Sequence, residues 1–283
     1  MERAGTFGAS VGSAMSQLTY VAVGAVAGVL LVRERQRRLA AERLAAAVLE
    51  TLLRAIDAND AETGGHVRRV ARYALILADA ADLDTRTKRN IERVALFHDI
   101  GKIHEALFDI IHDDSDLTPE EREAVRTHPQ RGAAVLAPLA AFYPELTDGV
   151  VAHHERWDGS GYPHHLRGNT IPLEARIVAI ADSFDAITFN RRYHSAQSVS
   201  EAAEQLMKGR GTQFDPKLLD LFLSPPVLDQ VMTALGEDLH GPRLRRSVRR
   251  GPTDQARLPT LSFRWRTTTP APQSPGLRPR RSL

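Results

Sequence analysis

Seven residues between positions 66 and 182 carry side chains of the kinds that bind metal ions: His66, the adjacent pair His98-Asp99, His128, the adjacent pair His153-His154, and Asp182. They take up five of the chain's 11 histidines and are spread over helical segments rather than gathered in one short loop. Imidazole and carboxylate donors in that arrangement suit two or three hard-to-borderline metal ions. The chemistry such a centre performs is metal-assisted hydrolysis, and a phosphodiester is the bond that fits best. Neighbouring residues diverge by about 100° around a helix. His98 and Asp99 therefore serve one ion only if Asp99 reaches across, a geometry in which its two oxygens bridge two ions. Asp182 and Asp185 lie three apart on an apolar helical run and share a face; a buried aspartate there is costly unless paired or bound to metal. The 283 residues include no cysteine, which excludes disulfides, thiolate zinc sites and a cysteine nucleophile. A centre built from N and O donors suits iron or manganese and does not exclude zinc.

The elements that must hold these residues read as helices. Hydrophobic residues make up 42% of the chain and aromatics only 6%, an Ala/Leu/Val-rich composition. Helical windows run over 85–99, 118–128, 130–139, 146–154, 173–188 and 198–207, and Thr118-Pro119-Glu120-Glu121 supplies a cap, an N1 proline and acidic first-turn residues. Leu39, Leu44, Ala47, Leu49, Leu52, Leu53 and Ile56 recur at helical steps without Pro or Gly, giving a stalk whose apolar stripe packs on the domain or pairs with a second copy. Before it, residues 13–32 hold no charge and are followed by Arg33, Arg35, Arg37 and Arg38. That length matches the ~30 Å of a bilayer core, and the arginines place the C-terminal side in the cytoplasm. A cleaved signal peptide ending at Ala25-Val26-Ala27 and a soluble helix are the competing readings. At the other end, residues 241–283 carry 11 Arg and one acidic residue, a net +10, which leaves −8 for the first 240 residues of a chain whose total is +2. The basic pI thus belongs to a Pro/Arg-rich tail expected to be disordered, and specific nucleic-acid binding is not expected of the folded part.

Four motifs, in order, carry a family resemblance: HDIGK at 98–102, HHERWDGSGYP at 153–163, IPLEARIVAIADSFDAIT at 171–188 and GRGTQFDP at 209–216. Over about residues 57–235 the chain resembles the HD-GYP family of bacterial cyclic di-GMP phosphodiesterases. The resemblance implies an all-α fold: an HD-domain helical bundle at 58–236, here preceded by a membrane-anchor helix at 1–34 and a stalk at 35–57, and followed by a disordered tail at 237–283. It also implies that His66, His98, Asp99, His128, His153, His154 and Asp182 are metal ligands, with Asp99 as the bridge. Lys102 would face the reacting phosphate, and Arg191, Asp185 and His194 would line the substrate side. Glu62, four residues before His66, resembles the version of the family that takes a third ion, so two or three divalent ions, iron or manganese, are expected. The implied reaction is hydrolysis of cyclic di-GMP to linear pGpG and/or GMP by a metal-bridged hydroxide, with Asp99 and Lys102 catalytic.

The chain departs from the family pattern in places. Ile103-His104-Glu105-Ala106-Leu107 replaces the usual Ile-Gly-Ile-Pro-Asp, His194 stands where Lys or Arg is common, His165 replaces a glycine, and no receiver or sensory domain is expected ahead of the catalytic part. His104, His112, His164, His165 and His240 read as surface residues, while Trp157 and Tyr162 either stack on guanine or pin the loop. The competing functions are a slow, metal-loaded regulatory module whose Gly161-Tyr162-Pro163 loop docks a diguanylate cyclase (GGDEF) partner, and a hydrolase of another cyclic dinucleotide or nucleotide. The expected location is the cytoplasmic membrane, single-pass, with the catalytic domain in the cytoplasm and a homodimer as one arrangement of the stalk.

Overall fold

The structure, a computed structural model, describes residues 5–103, 118–189 and 197–239, with side chains from 25 to 236 within those spans, residue 59 excepted. Arg191, His194, His104, His112, His240, the loop beyond Ile103 and the Arg-rich tail lie outside the described residues. So do the side chains of the first 24 residues, which include much of the expected anchor.

The described residues form ten α-helices and no strand; a single bridge joins Arg210 and Phe214. In chain order they are α1 (Gly5–Asn59), α2 (Ala61–Ala80), α3 (Thr85–Phe97), α4 (Pro119–Val125), α5 (His128–Leu136), α6 (Pro144–Ala152), α7 (Leu173–Thr188), α8 (Val199–Lys208), α9 (Pro216–Phe222) and α10 (Pro225–Leu239). Short polar residues start most of them. Asp60 accepts from the backbone N–H of Glu62 at the head of α2, and Asp84 accepts from those of Arg86 and Thr87 at the head of α3. Thr118 with Glu121 and Ser198 with Glu201 close capping boxes on α4 and α8. These bonds satisfy the first N–H groups of each helix, which have no partner within it.

The core is a packed centre of α2, α3 and α7, to which α9 and α10 add a further side. Val67, Val70, Tyr73 and Leu77 of α2, Ile91, Val94 and Phe97 of α3, and Ile177, Ile180 and Phe184 of α7 are all buried. Phe184 meets Tyr73 and Phe222 edge to face, with ring centroids 5.4 Å apart in both contacts. The expected stalk divides in two. Ala45, Leu49 and Ile56 are buried in this same core, while Leu39 and Leu44 are exposed at 41% and 68%. The domain therefore begins inside α1, ahead of residue 58. Among the residues whose side chains are described, from 25 onward, no single helix is long and apolar enough to cross a membrane.

Two close approaches set the geometry near the chemistry-bearing residues. A Cβ on Gly149 of α6 would run into the Val94 side chain of α3. A Cβ on Gly101 would collide with the backbone carbonyl of His128. Gly101 supplies proximity, letting the 3-10 turn Ile100–Ile103 lie against the start of α5. Because backbone cannot yield as a flexible side chain can, Gly101→Ala is expected to cost about 1–3 kcal/mol of stability and to weaken metal uptake. Chemical denaturation and metal titration of the variant check both.

Candidate metal centre

Each of the seven ligand-type residues sits at a helix end or on a buried helix face. His66 lies in the second turn of α2. His98 ends α3 and Asp99 follows it, His128 opens α5, His153 ends α6 and His154 follows it, and Asp182 lies on α7. The boundaries differ from the sequence reading for local reasons. Pro129 sets the start of α5 at His128, so the break between the windows 118–128 and 130–139 falls at residues 126–127 and not at 129. Gly64-Gly65 leave α2 unbroken, so Glu62 and His66 are one turn apart on one helix.

The chain brings these side chains together as two buried groups. His66, His98 and Asp182 form one, and His128, His153 and His154 the other; within each, the ligand atoms lie within 4.8 Å of one another. Asp99 lies between them. Its Oδ2 is 3.5 Å from His98 Nε2 and 3.8 Å from His66 Nε2, and its Oδ1 is 3.3 Å from His128 Nε2.

Hydrogen bonds decide which nitrogen of each ring faces inward. The Nδ1–H groups of His98, His128 and His153 donate to the carbonyls of Ala95, Val125 and Val150, at 2.8, 2.7 and 2.6 Å. Each bond uses a carbonyl in the turn just before its own histidine, where helix ends leave acceptors without a partner. His66 Nδ1 donates instead to Asp185 Oδ2 at 2.7 Å. With Nδ1 carrying the proton, each neutral ring turns an Nε2 lone pair inward. His128 Nε2 and His153 Nε2 then face each other at 3.2 Å, and His66 Nε2 faces Asp182 Oδ1 at 3.2 Å. Electron pairs at such distances repel unless a cation lies between them. His98 Nε2, fully buried, has no hydrogen-bond partner among the described residues, and burying such an atom is costly without a ligand. The residues therefore fit divalent metal ions, held by five imidazoles and two carboxylates.

The protonation states agree with that use. Burial works against ionising Asp99, but the Lys102 ammonium and then the His98 imidazole outweigh it and hold the carboxyl well below the usual range. Asp182 is likewise held well below the usual carboxylate range: burial opposes its charge, and the His66 and His98 rings beside it outweigh that. His153 is pushed well below its ordinary value by burial and then by His154, while His154 falls to about 4 through burial and His128. At neutral pH these carboxylates are charged and these imidazoles neutral, as metal ligands must be.

Other expected residues fall in different places. Lys102 Nζ stands 2.6 Å from Asp99 Oδ2 and is partly exposed. Asp185 corrects the sequence reading. It is fully buried, accepting from His66 Nδ1 and from Arg69 Nε and a terminal Arg69 nitrogen at 2.7 and 2.9 Å, so it cannot touch a substrate. It orients His66 instead, as carboxylates behind metal-binding imidazoles do. Glu62 is exposed in the first turn of α2 and belongs to neither group. The sequence reading missed Arg69 and Glu155. Arg69 had a signal, standing three residues after His66 as Asp185 stands three after Asp182. Glu155 is buried and accepts from the backbone N–H groups of His164 and Leu166, shaping the loop that carries Tyr162. Trp157 bonds through its backbone to Gln213 and Gly168 and so pins that loop. Tyr162 stacks on His154, with ring centroids 5.0 Å apart, and its hydroxyl is pushed up to about 12, chiefly by burial. His165 has φ +54°, a left-handed conformation that suits the glycine it replaces.

Two outcomes follow. Between pH 6.5 and about 4 the unfolded chain binds protons at positions 153 and 154 that the folded metal-free protein refuses. Its stability is therefore full above 6.5 and falls as the pH drops through that window, by up to about 1.4 kcal/mol per pH unit for each imidazole; urea titrations across the range measure it. Asp185→Ala strands the buried Arg69 cation and is expected to lose about 3–5 kcal/mol, whereas the milder Asp185→Asn lowers metal affinity about 10–100-fold, readable by calorimetry.

The HD domain family model matches residues 50–218. Among curated proteins, the chain is 37% identical over 174 residues to a 3'3'-cGAMP-specific phosphodiesterase of Vibrio cholerae, covering 61% of this chain and 33% of that one. It is 37% identical over 194 residues to a cyclic di-GMP phosphodiesterase response regulator of Xanthomonas campestris pv. campestris, covering 68% and 48%. It is 35% identical over 181 residues to a cyclic di-GMP phosphodiesterase of Thermotoga maritima, covering 62% and 48%. The chain thus spans a third to a half of the length of these relatives. With the matched span enclosing both histidine groups and Asp99, the chain belongs to the HD-domain family, of the HD-GYP type.

Proposed function

We propose that this chain is a metal-dependent phosphodiesterase that opens cyclic di-GMP, or a closely related cyclic dinucleotide, to the linear dinucleotide and on to GMP. The observation that carries the reading is the Asp99 carboxylate, set between two buried histidine groups with one oxygen toward each. The relatives named as cyclic di-GMP and 3'3'-cGAMP phosphodiesterases support the substrate class. Bound divalent ions supply Lewis-acid activation of water and offset charge on the phosphate. The chain's own part is to hold the donors: the Nδ1 bonds fix the rings, Asp99 spans the groups, and Lys102 sets a positive charge beside Asp99 at the partly exposed side.

Finer points belong to the same proposal. The all-N/O donor set supports iron or manganese. Glu62, one turn before His66, is the residue for a third ion. The uncharged stretch 13–32 ahead of four arginines supports a single-pass anchor with the domain on the cytoplasmic side.

The test uses the full chain, purified anaerobically in detergent, loaded with iron or manganese and given cyclic di-GMP and 3'3'-cGAMP, with products resolved by chromatography. Wild type is expected to release linear dinucleotide and GMP, and Asp99→Ala to lose about a thousandfold or more in rate. Equal turnover by both would sink the reading; binding without cleavage by metal-loaded wild type would favour a regulatory module.

A further inference from the structure

The loop after α6 places a stepped stack at the rim of the second histidine group. Tyr162 stacks on His154 with 25° between the ring planes. Arg126, which ends α4 two residues before His128, has its guanidinium carbon 4.6 Å from the Tyr162 ring centroid. The order outward from the buried group is therefore imidazole, phenol, guanidinium. Helix α4 buries none of its residues, so Arg126 is not spent on core packing. Its one ion pair among the described residues is with Glu123, at 3.5 Å with the two side chains 47% and 73% exposed. Such a pair is a weak competitor for the cation.

The geometry suits one kind of ligand. With its guanidinium carbon over the Tyr162 ring, Arg126 keeps N–H donors for an acceptor that presents two oxygens, as the two non-bridging oxygens of a phosphodiester do. The other described cation at the centre, Lys102, stands against Asp99. The two therefore serve different positions: Lys102 beside the bridging carboxylate, Arg126 one aromatic ring beyond His154. A cyclic dinucleotide carries two phosphodiesters, of which one is cleaved at a time. We infer that Arg126 binds the phosphate that is not being cleaved, on the shelf formed by Tyr162, and so selects cyclic dinucleotides over substrates with a single phosphodiester. The inference rests on the phosphodiesterase reading and assigns a binding role that the metal ligands do not fill.

The experiment compares the metal-loaded full chain with Arg126→Gln and Arg126→Lys, on cyclic di-GMP and on bis(4-nitrophenyl) phosphate, which has one phosphodiester. Metal content and thermal unfolding of each variant are measured alongside. Arg126→Gln is expected to raise KM for cyclic di-GMP about 10–100-fold, with kcat and the rate on the single diester within about twofold, and Arg126→Lys to recover part of the loss. An unchanged KM for cyclic di-GMP, or an equal loss on both substrates, overturns the assignment. Calorimetry of cyclic di-GMP binding separates it from the parent reading. If wild type binds but cleaves neither substrate, the phosphodiesterase reading fails, while Arg126 stands if Arg126→Gln weakens binding about tenfold and falls if it does not. Absence of binding by wild type overturns both.

Discussion

The structure turns on buried nitrogen lone pairs that face one another or face carboxylate oxygens. Three imidazoles spend their Nδ1 protons on helix-end carbonyls and a fourth on Asp185. Their Nε2 atoms are left without protons in a volume that water hardly reaches. Between His128 and His153 the separation is 3.2 Å, a distance at which two acceptors repel. In a low-dielectric interior such repulsion is weakly screened, so the arrangement calls for positive charge. Divalent ions supply it while accepting the lone pairs as ligands, which makes metal binding and folding partners in one equilibrium.

The fold meets this demand by bringing helix ends together. A helix terminus offers what a metal-binding histidine needs behind it, a carbonyl with no partner of its own, and α3 and α6 end in the same way: the histidine at the C-cap, its Nδ1 on the carbonyl three residues back. His128 uses Val125 of the preceding α4 similarly, at the start of α5. The close contacts at Gly101 and Gly149 allow those ends to meet, and the core of α2, α3 and α7 fixes them in place. On α7, Asp182 faces His66 and His98, while Asp185 lies behind His66 with Arg69. Two carboxylates one turn apart thereby take different roles.

The site is graded in depth. His98 and His153 are buried, Asp182 and Lys102 partly exposed, and Tyr162 and Arg126 form the rim. A polar ligand approaching from the rim meets cationic and aromatic groups before it reaches the carboxylates. The loop that carries Tyr162 is held from beneath by Glu155 and from the side by the Trp157 backbone.

Much of this was legible in the chain. The helix starts, the all-α class and the seven donors follow from local signals: capping residues next to their helices, apolar repeats of 3.6, and His and Asp residues in long motifs. Their chemistry is a property of residue type, and it survives any detail of packing. What the sequence left open depends on distant partners. Asp185 reads as a second site carboxylate until Arg69 and His66, more than a hundred residues earlier, are seen to enclose it. Gly101 reads only as part of a motif until the His128 carbonyl is found against it. The stalk's apolar stripe reads equally as packing on the domain or as pairing with a second copy until Leu49 and Ile56 are found in the core. Composition and spacing, by themselves, determined which atoms are able to bind a metal. Only the tertiary structure decided which nitrogen each ring turns inward and which aspartate stands behind His66 instead of facing the centre, because both follow from hydrogen bonds and contacts that the order of residues does not display.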